Sequence, residues 1–177
     1  NMADGFRGGI SIDDAVAAAR RLESEGVLDA LELTGGSSLK NPMFMFRGDA
    51  PIEEMARSFP QPLRTAFRLM GRRFLPSYPF EEAYFLPLAR RFRAALSLPL
   101  VLLGGINRLD TVQRALEEGF DFVALGRALL REPDLVARWQ RGDEAEAACI
   151  HCNKCIPTIY RGTHCVLVPP ESRPGQR

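Results

Sequence analysis

Two short apolar runs in the second half of the chain each end at glycine and lead directly into an amphipathic stretch. Segment 100–103 ends at the pair Gly104-Gly105, and segment 122–125 ends at Gly126. Continuous apolar strands that are each followed by a helix of about 10–15 residues are typical of a parallel sheet covered by helices. The pattern therefore predicts the α/β class.

The rest of the chain follows the same alternation. Apolar residues recur at helical spacing from Ser11 to Glu25, where Ser11 and Asp14 resemble a capping box and Gly26 ends the helix. The other predicted elements are a strand over 28–34, helices over 81–96 and 109–116, and a helical stretch from 127 to about Trp139.

One long segment, residues 35–79, interrupts this alternation. It is rich in Pro, Gly, Met and Arg, with one clear helical fragment over 52–56 and an ambiguous stretch over 63–70. A loop of this length inside a compact domain is usually functional, or else it contains an element that the pattern has not revealed. We expect the segment to pass over the carboxyl ends of the strands.

Composition places the chain among ordinary globular proteins. The 177 residues are 46% apolar and 25% charged, with a formal net charge of +1, which disfavours disordered, collagenous and coiled-coil classes. So small a charge creates no broad field for nucleic acid or membrane surfaces. There is no run of about 18 apolar residues and no signal-like start. We expect a cytoplasmic protein that binds neither nucleic acid nor membranes.

The two glycine turns are candidates for an anion site. At Gly104, Gly105 and Gly126 the exposed backbone N–H groups and a helix start would attract a phosphate, and Arg127 adds a positively charged fork. Barrels of parallel strands commonly bind phosphate with their last two strand-to-helix loops. In the alternative interpretation, the glycines only relieve crowding and Arg127 pairs with a surface carboxylate.

All four cysteines lie close together near the end of the chain. Cys149, Cys152, Cys155 and Cys165 follow the spacing C-x2-C-x2-C-x9-C. A local group of this kind indicates metal or redox chemistry rather than a disulfide framework. The C-x2-C-x2-C spacing of the first three cysteines favours an iron-sulfur cluster over zinc. Thiols without metal are the third alternative. His151 and His164 are interpreted as neighbours of the ligands rather than as ligands.

Two long segments resemble the old yellow enzyme family of FMN-dependent NAD(P)H oxidoreductases, in the branch that includes dienoyl-CoA reductase and trimethylamine dehydrogenase. The first is VLLGGINRLDTVQRALEEGFDFVALGRALLREPDLVARWQRGD (101–143), followed by CIHCNKC (149–155), which is similar to the family's carboxyl-terminal half. The second is ADGFRGGISIDDAVAAARRLESEGVLDALELTGG (3–36), which is similar to its middle segment. The resemblance covers residues 1 to about 168.

The resemblance implies the carboxyl-terminal part of a TIM (β/α)8 barrel, incomplete in this chain, over residues 1–145, with a cysteine-rich tail over 146–177. It implies FMN at the carboxyl face, with its phosphate held by Gly104, Gly105, Gly126 and Arg127. NAD(P)H would be the reductant and an activated double bond in a small molecule the substrate. It also implies a 4Fe-4S cluster on the four cysteines.

The chain departs from the family pattern. The family's earlier strands, its substrate-anion pair (two His, or His and Asn), its proton-donating Tyr and the basic residue near its flavin have no counterpart here. We therefore expect an inactive fragment that depends on a missing amino-terminal half or on self-association. Two alternatives come from other classes: a non-catalytic module for metal binding and assembly, and a phosphate-binding TIM-barrel isomerase or aldolase.

Overall fold

Three parallel strands form the centre of the structure, a computed structural model that describes residues 1–173 apart from the side chains of Tyr160 and Arg161. They are β1 (Leu31–Leu33), β2 (Leu100–Leu103) and β3 (Phe122–Ala124), in the order β1-β2-β3. Residues 174–177, the end of the predicted cysteine-rich tail, lie outside the described residues. Within residues 1–173 the outer edges of β1 and β3 pair with no further strand, so the barrel is incomplete.

Eight α-helices accompany the strands within the described residues, and the predicted α/β class is confirmed. They are α1 (Ile12–Ser24), α2 (Pro42–Met45), α3 (Ile52–Ala56), α4 (Leu63–Phe74), α5 (Leu86–Arg93), α6 (Leu109–Glu117), α7 (Arg127–Arg131) and α8 (Leu135–Gln140). Short 3-10 helices cover Ile156–Arg161 and Pro170–Ser172.

Two predicted helices differ from the observed ones for local reasons. The helix expected over 81–96 begins only at Leu86, because Ala83 adopts the left-handed φ of +53°, which a right-handed helix excludes. The stretch expected from 127 to Trp139 is divided into α7 and α8. Pro133 lies between them, and a proline removes a helical hydrogen bond.

The long segment 35–79 contains more helix than expected. The ambiguous stretch 63–70 belongs to the 12-residue helix α4, and α2 forms where no element was assigned. Leu69, Met70 and Phe74 on α4 are exposed. Apolar residues recur at helical spacing along α4, whereas Gly71 within it disfavours a helix, so the sequence carries a mixed signal there.

The main core lies between the sheet and helices α1 and α5. Leu100 and Leu102 of β2 are fully buried, and they share this core with Leu33, Phe85 and Phe92. A second, smaller cluster is formed by Ala128, Leu135, Trp139 and Ala147. The second cluster attaches the start of the cysteine-rich tail to helices α7 and α8.

The amino-terminal end of α1 confirms the predicted capping arrangement. The Ser11 hydroxyl oxygen accepts a hydrogen bond from the Asp14 backbone N–H at 3.2 Å, and the hydroxyl donates to the Asp14 carboxylate at 2.6 Å. Gly26, just beyond the helix, has the positive φ of +64° that ends it.

We expect Ser11→Ala to lower the free energy of unfolding by about 1 kcal/mol, because it removes the acceptor for a free helical N–H group. Urea unfolding followed by circular dichroism measures the change. Ser24→Ala in the same helix is the matched control, and alanine's helix propensity keeps its effect small. An equal loss in both variants would show that Ser11 contributes no cap.

Candidate functional site

The residues predicted to bind phosphate lie together at the carboxyl ends of β2 and β3. The two strands pair with Leu103 opposite Ala124, so the glycine turns that follow them are neighbours. A Cβ built on Gly104 would collide with the ring of Phe85 at 2.6 Å, whereas one built on Gly126 meets no atom within 4 Å. A side chain would be crowded at Gly104, and also at Gly105 by the ring of Tyr84, whereas Gly126 borders open space.

The Arg127 side chain contacts two acceptors from other segments of the chain. Its Nη1 donates to the backbone carbonyl of Arg47 at 2.8 Å and to Oδ1 of Asn153 at 2.5 Å. Both acceptors are neutral oxygens rather than the surface carboxylate of the alternative interpretation. Because a guanidinium carries five N–H groups, these two bonds do not by themselves prevent Arg127 from binding an anion.

The start of helix α6, just after Gly105, is held by an internal carboxylate. Glu82 Oε1 accepts hydrogen bonds from the backbone N–H groups of Asn107 at 2.9 Å and Arg108 at 3.2 Å. Sequence reasoning missed this contact, because it joins residues 25 and 26 positions apart without any local signal. Those two N–H groups are consequently taken, and a phosphate would have to use the glycine turns themselves.

The four cysteines line a single cavity. Each is a free, partly buried thiol, and the cavity that they line together is small, with a volume of about 20 Å³. Arg127 and Arg131 form part of the wall. Among residues 1–173, no three His, Cys, Asp or Glu side chains are already arranged around a point where one metal ion would sit. The donor set nonetheless suits a thiolate-bound group, because all four cysteines border the same space.

The cavity favours protonated thiols in the absence of metal. Burial raises the pKa of Cys149 and of Cys155, and the positive charge of Arg127 acts in the opposite direction on both. Because thiolates rather than thiols bind metal, loading the cavity would release protons.

His151 attaches the cysteine loop (residues 149–155) to the sheet domain. Its ring stacks on Phe80 with the centroids 3.4 Å apart and the planes within 7°. Nε2 lies 2.5 Å from Nδ2 of Asn107, and the His151 carbonyl accepts from the backbone N–H of Asp49 at 3.0 Å. Burial and the charge of Arg127 lower the pKa of His151 to about 4. The ring is therefore neutral near pH 7, and Nε2 accepts the Asn107 hydrogen.

Asn153, the residue after Cys152, is the most deeply buried polar group of the loop. It is 1% exposed, and its backbone has the left-handed φ of +56°. Its Nδ2 donates to the carbonyls of Phe46 at 2.6 Å and Asp49 at 3.0 Å, while Oδ1 accepts from Arg127. Sequence reasoning missed Asn153, although asparagine's tolerance of left-handed backbone could have marked a tight turn between the cysteines.

The loop also contacts the long segment 35–79 through a charge pair. Lys154 Nζ lies 3.0 Å from a carboxylate oxygen of Glu54 on α3. Together with the bonds to Phe46 and Asp49, this pair shows that the segment reaches the cysteine loop, close to the carboxyl ends of the strands as expected.

We expect His151→Asn to loosen the cysteine loop, because asparagine tolerates the φ of +57° at this position but cannot stack on Phe80. The four thiols should then react several-fold faster with iodoacetamide in the native protein. His164→Asn, in the same tail but away from Phe80, is the control. Unchanged alkylation in His151→Asn would contradict a docking role for the ring.

Comparison with known proteins gives two kinds of match. The family model described as "Histidine biosynthesis protein" matches residues 81–157, a span that contains β2, β3 and the first three cysteines. That family consists of TIM-barrel proteins, so the match agrees with the parallel sheet and confirms the predicted incomplete barrel.

Among individual proteins, the chain is 53% identical over 167 residues to a 4,4'-dithiodibutanoate disulfide reductase of Rhodococcus erythropolis. The alignment covers 94% of this chain and 41% of the reductase. It is 27% identical over 111 residues to the imidazole glycerol phosphate synthase subunit HisF of Azobacteroides pseudotrichonymphae, covering 62% of this chain and 43% of that protein. It is 28% identical over 116 residues to a phosphoribosyl imidazole-4-carboxamide isomerase of Thermus thermophilus, covering 63% of this chain and 47% of that protein. The chain thus spans less than half the length of each relative.

Within the part of the chain that the structure describes, the longest helix has 13 residues, and none is long and apolar enough to span a membrane.

Proposed function

We propose that the chain is the phosphate-binding part of an FMN-dependent NAD(P)H oxidoreductase that reduces an electron-poor bond in a small molecule. The observation that carries the proposal is the 53% identity to a disulfide reductase across 94% of the chain. The adjacent glycine turns of β2 and β3 add a place for the cofactor's phosphate. The reductase is named for a disulfide substrate, whereas the old yellow enzyme family reduces activated double bonds. Both kinds of compound should therefore be tested as substrates.

In this proposal the backbone of Gly104, Gly105 and Gly126 would hold the flavin phosphate, and Arg127 would supply positive charge. Bound FMN would supply hydride transfer between NAD(P)H and the substrate. The protein's part is to hold and orient the flavin. The unpaired outer edges of β1 and β3 among the described residues support a need for further strands, from the rest of a longer protein or from a second copy.

The cysteine loop is proposed to hold a 4Fe-4S cluster through Cys149, Cys152, Cys155 and Cys165. This assignment rests on their spacing and on the single cavity they share. A bound cluster would supply one-electron transfer. The role of this chain's residues is to provide four thiolates and to keep the loop fixed to the sheet domain.

A phosphate-binding isomerase is the second candidate. It is favoured by the histidine-biosynthesis match over residues 81–157. Both candidates use the same glycine turns for a phosphate, and they differ in whether a flavin is bound. A visible spectrum of the freshly purified protein separates them, because flavin bands appear only for the oxidoreductase.

We expect Arg127→Ala to weaken FMN binding to the full-length protein by about 1.5–3 kcal/mol, because it removes a charge-assisted hydrogen bond to the phosphate. Fluorescence titration of the apo-protein with FMN measures the affinity. Arg141→Ala, at the exposed end of α8, controls for the loss of one positive charge. Unchanged affinity in Arg127→Ala would remove Arg127 from the phosphate site.

We expect anaerobically prepared protein to contain stoichiometric iron and acid-labile sulfide, and Cys152→Ser to lose both, because one of the four ligands is gone. Elemental and sulfide analysis provide the measurement. Lys154→Gln is a control within the same loop that changes no ligand. Zinc in place of iron would assign the loop a structural role, and no metal in either protein would contradict the cluster.

A further inference from the structure

Arg127 lies between the two proposed sites. Its backbone belongs to the glycine turn at the end of β3, yet its side chain forms part of the wall of the four-cysteine cavity. A role for Arg127 at the cavity rests on the proposed metal-binding function of the cysteines.

Two fixed acceptors hold the guanidinium at the cavity. One is the backbone carbonyl of Arg47, and the other is Oδ1 of Asn153. The orientation of the Asn153 amide is decided by its surroundings, because its other end faces two carbonyls, of Phe46 and Asp49, which can only accept hydrogen bonds. Oδ1 must therefore face Arg127. The planar guanidinium of Arg127 loses little rotamer entropy for each hydrogen bond that it forms, so these two bonds keep it at the cavity.

The cavity needs positive charge once it is loaded. Four thiolates carry four negative charges, and a divalent ion neutralises only two of them, so the loaded site is anionic. A partly buried anion is costly unless a cation or hydrogen-bond donors offset it. Arg127 and Arg131 both line the cavity, whereas Lys154 pairs with Glu54.

We propose that Arg127 is a positioning residue of the cysteine site, held by Asn153 and the Arg47 carbonyl so that its positive charge stabilises the four-thiolate metal complex. Asn153 has two tasks in this arrangement. It fixes the cysteine loop to the segment 46–49, and it orients Arg127 toward the bound group.

Anaerobic titration of the full chain with Co²⁺ tests the proposal without flavin or turnover, since thiolate-bound Co²⁺ has a charge-transfer absorption of its own. We expect Arg127→Gln to weaken Co²⁺ binding at least about tenfold, a usual effect of losing a residue that supports metal ligands. Arg127→Lys should recover most of the affinity, because it restores charge without restoring the guanidinium fork. A purely structural role would not be rescued by charge alone.

Asn153→Gly provides an independent variant, since glycine tolerates the backbone φ at this position while the amide is lost. It should weaken Co²⁺ binding several-fold, because Arg127 is no longer held at the cavity. Arg131→Gln removes a charge from the same wall without touching Asn153, and its effect should be smaller than that of Arg127→Gln.

The proposal is overturned if Arg127→Gln and Asn153→Gly both bind Co²⁺ as the unmodified chain does, or if lysine gives no rescue. It is also overturned if the unmodified chain forms no thiolate-bound Co²⁺ complex. FMN titration of the same variants reports on the flavin proposal separately. A loss of FMN affinity with unchanged Co²⁺ binding would assign Arg127 to the phosphate alone.

Discussion

Strand β2 is the element on which the rest of the structure depends. It is the only described strand with a partner on both sides, and its residues Leu100 and Leu102 are fully buried. Because β1 and β3 take their register from it, β2 determines where both glycine turns lie. The turn after it admits no side chain at Gly104, where the ring of Phe85 fills the space. Packing and site geometry are thus set by the same strand.

The cysteine loop is attached to this framework by residues other than cysteine. His151 contributes a ring stack and Asn153 contributes three hydrogen bonds, and both have left-handed backbones. His151 contacts Phe80 and Asn107, and Asn153 contacts Arg127 and segment 46–49. These contacts place the loop through residues other than the four cysteines.

Local patterns explain which features the sequence could predict. Some features depend only on residues within a few positions of one another, namely the bounds of β2, the bounds of α3 and the Ser11 cap. The structure shows all three as predicted. Helix α5 is shorter than predicted because of the left-handed backbone of Ala83. The helix predicted after β3 is divided because of Pro133. The contacts of Arg127 with Arg47 and Asn153 join positions 80 and 26 residues apart, so only the folded chain reveals them.

The two kinds of similarity divide the chain into a shared part and a distinctive part. The histidine-biosynthesis family model matches residues 81–157, and the two relatives of that kind align over 111 and 116 residues. The disulfide reductase aligns with 167 of the 177 residues and so includes most of segment 35–79. Phosphate-binding glycine turns occur in many barrel enzymes that catalyse different reactions, so these turns do not identify the reaction. The distinctive chemistry must come from residues outside those turns. Segment 46–49 and the cysteine loop hold each other in place through the buried side chain of Asn153, and they are candidates for that role.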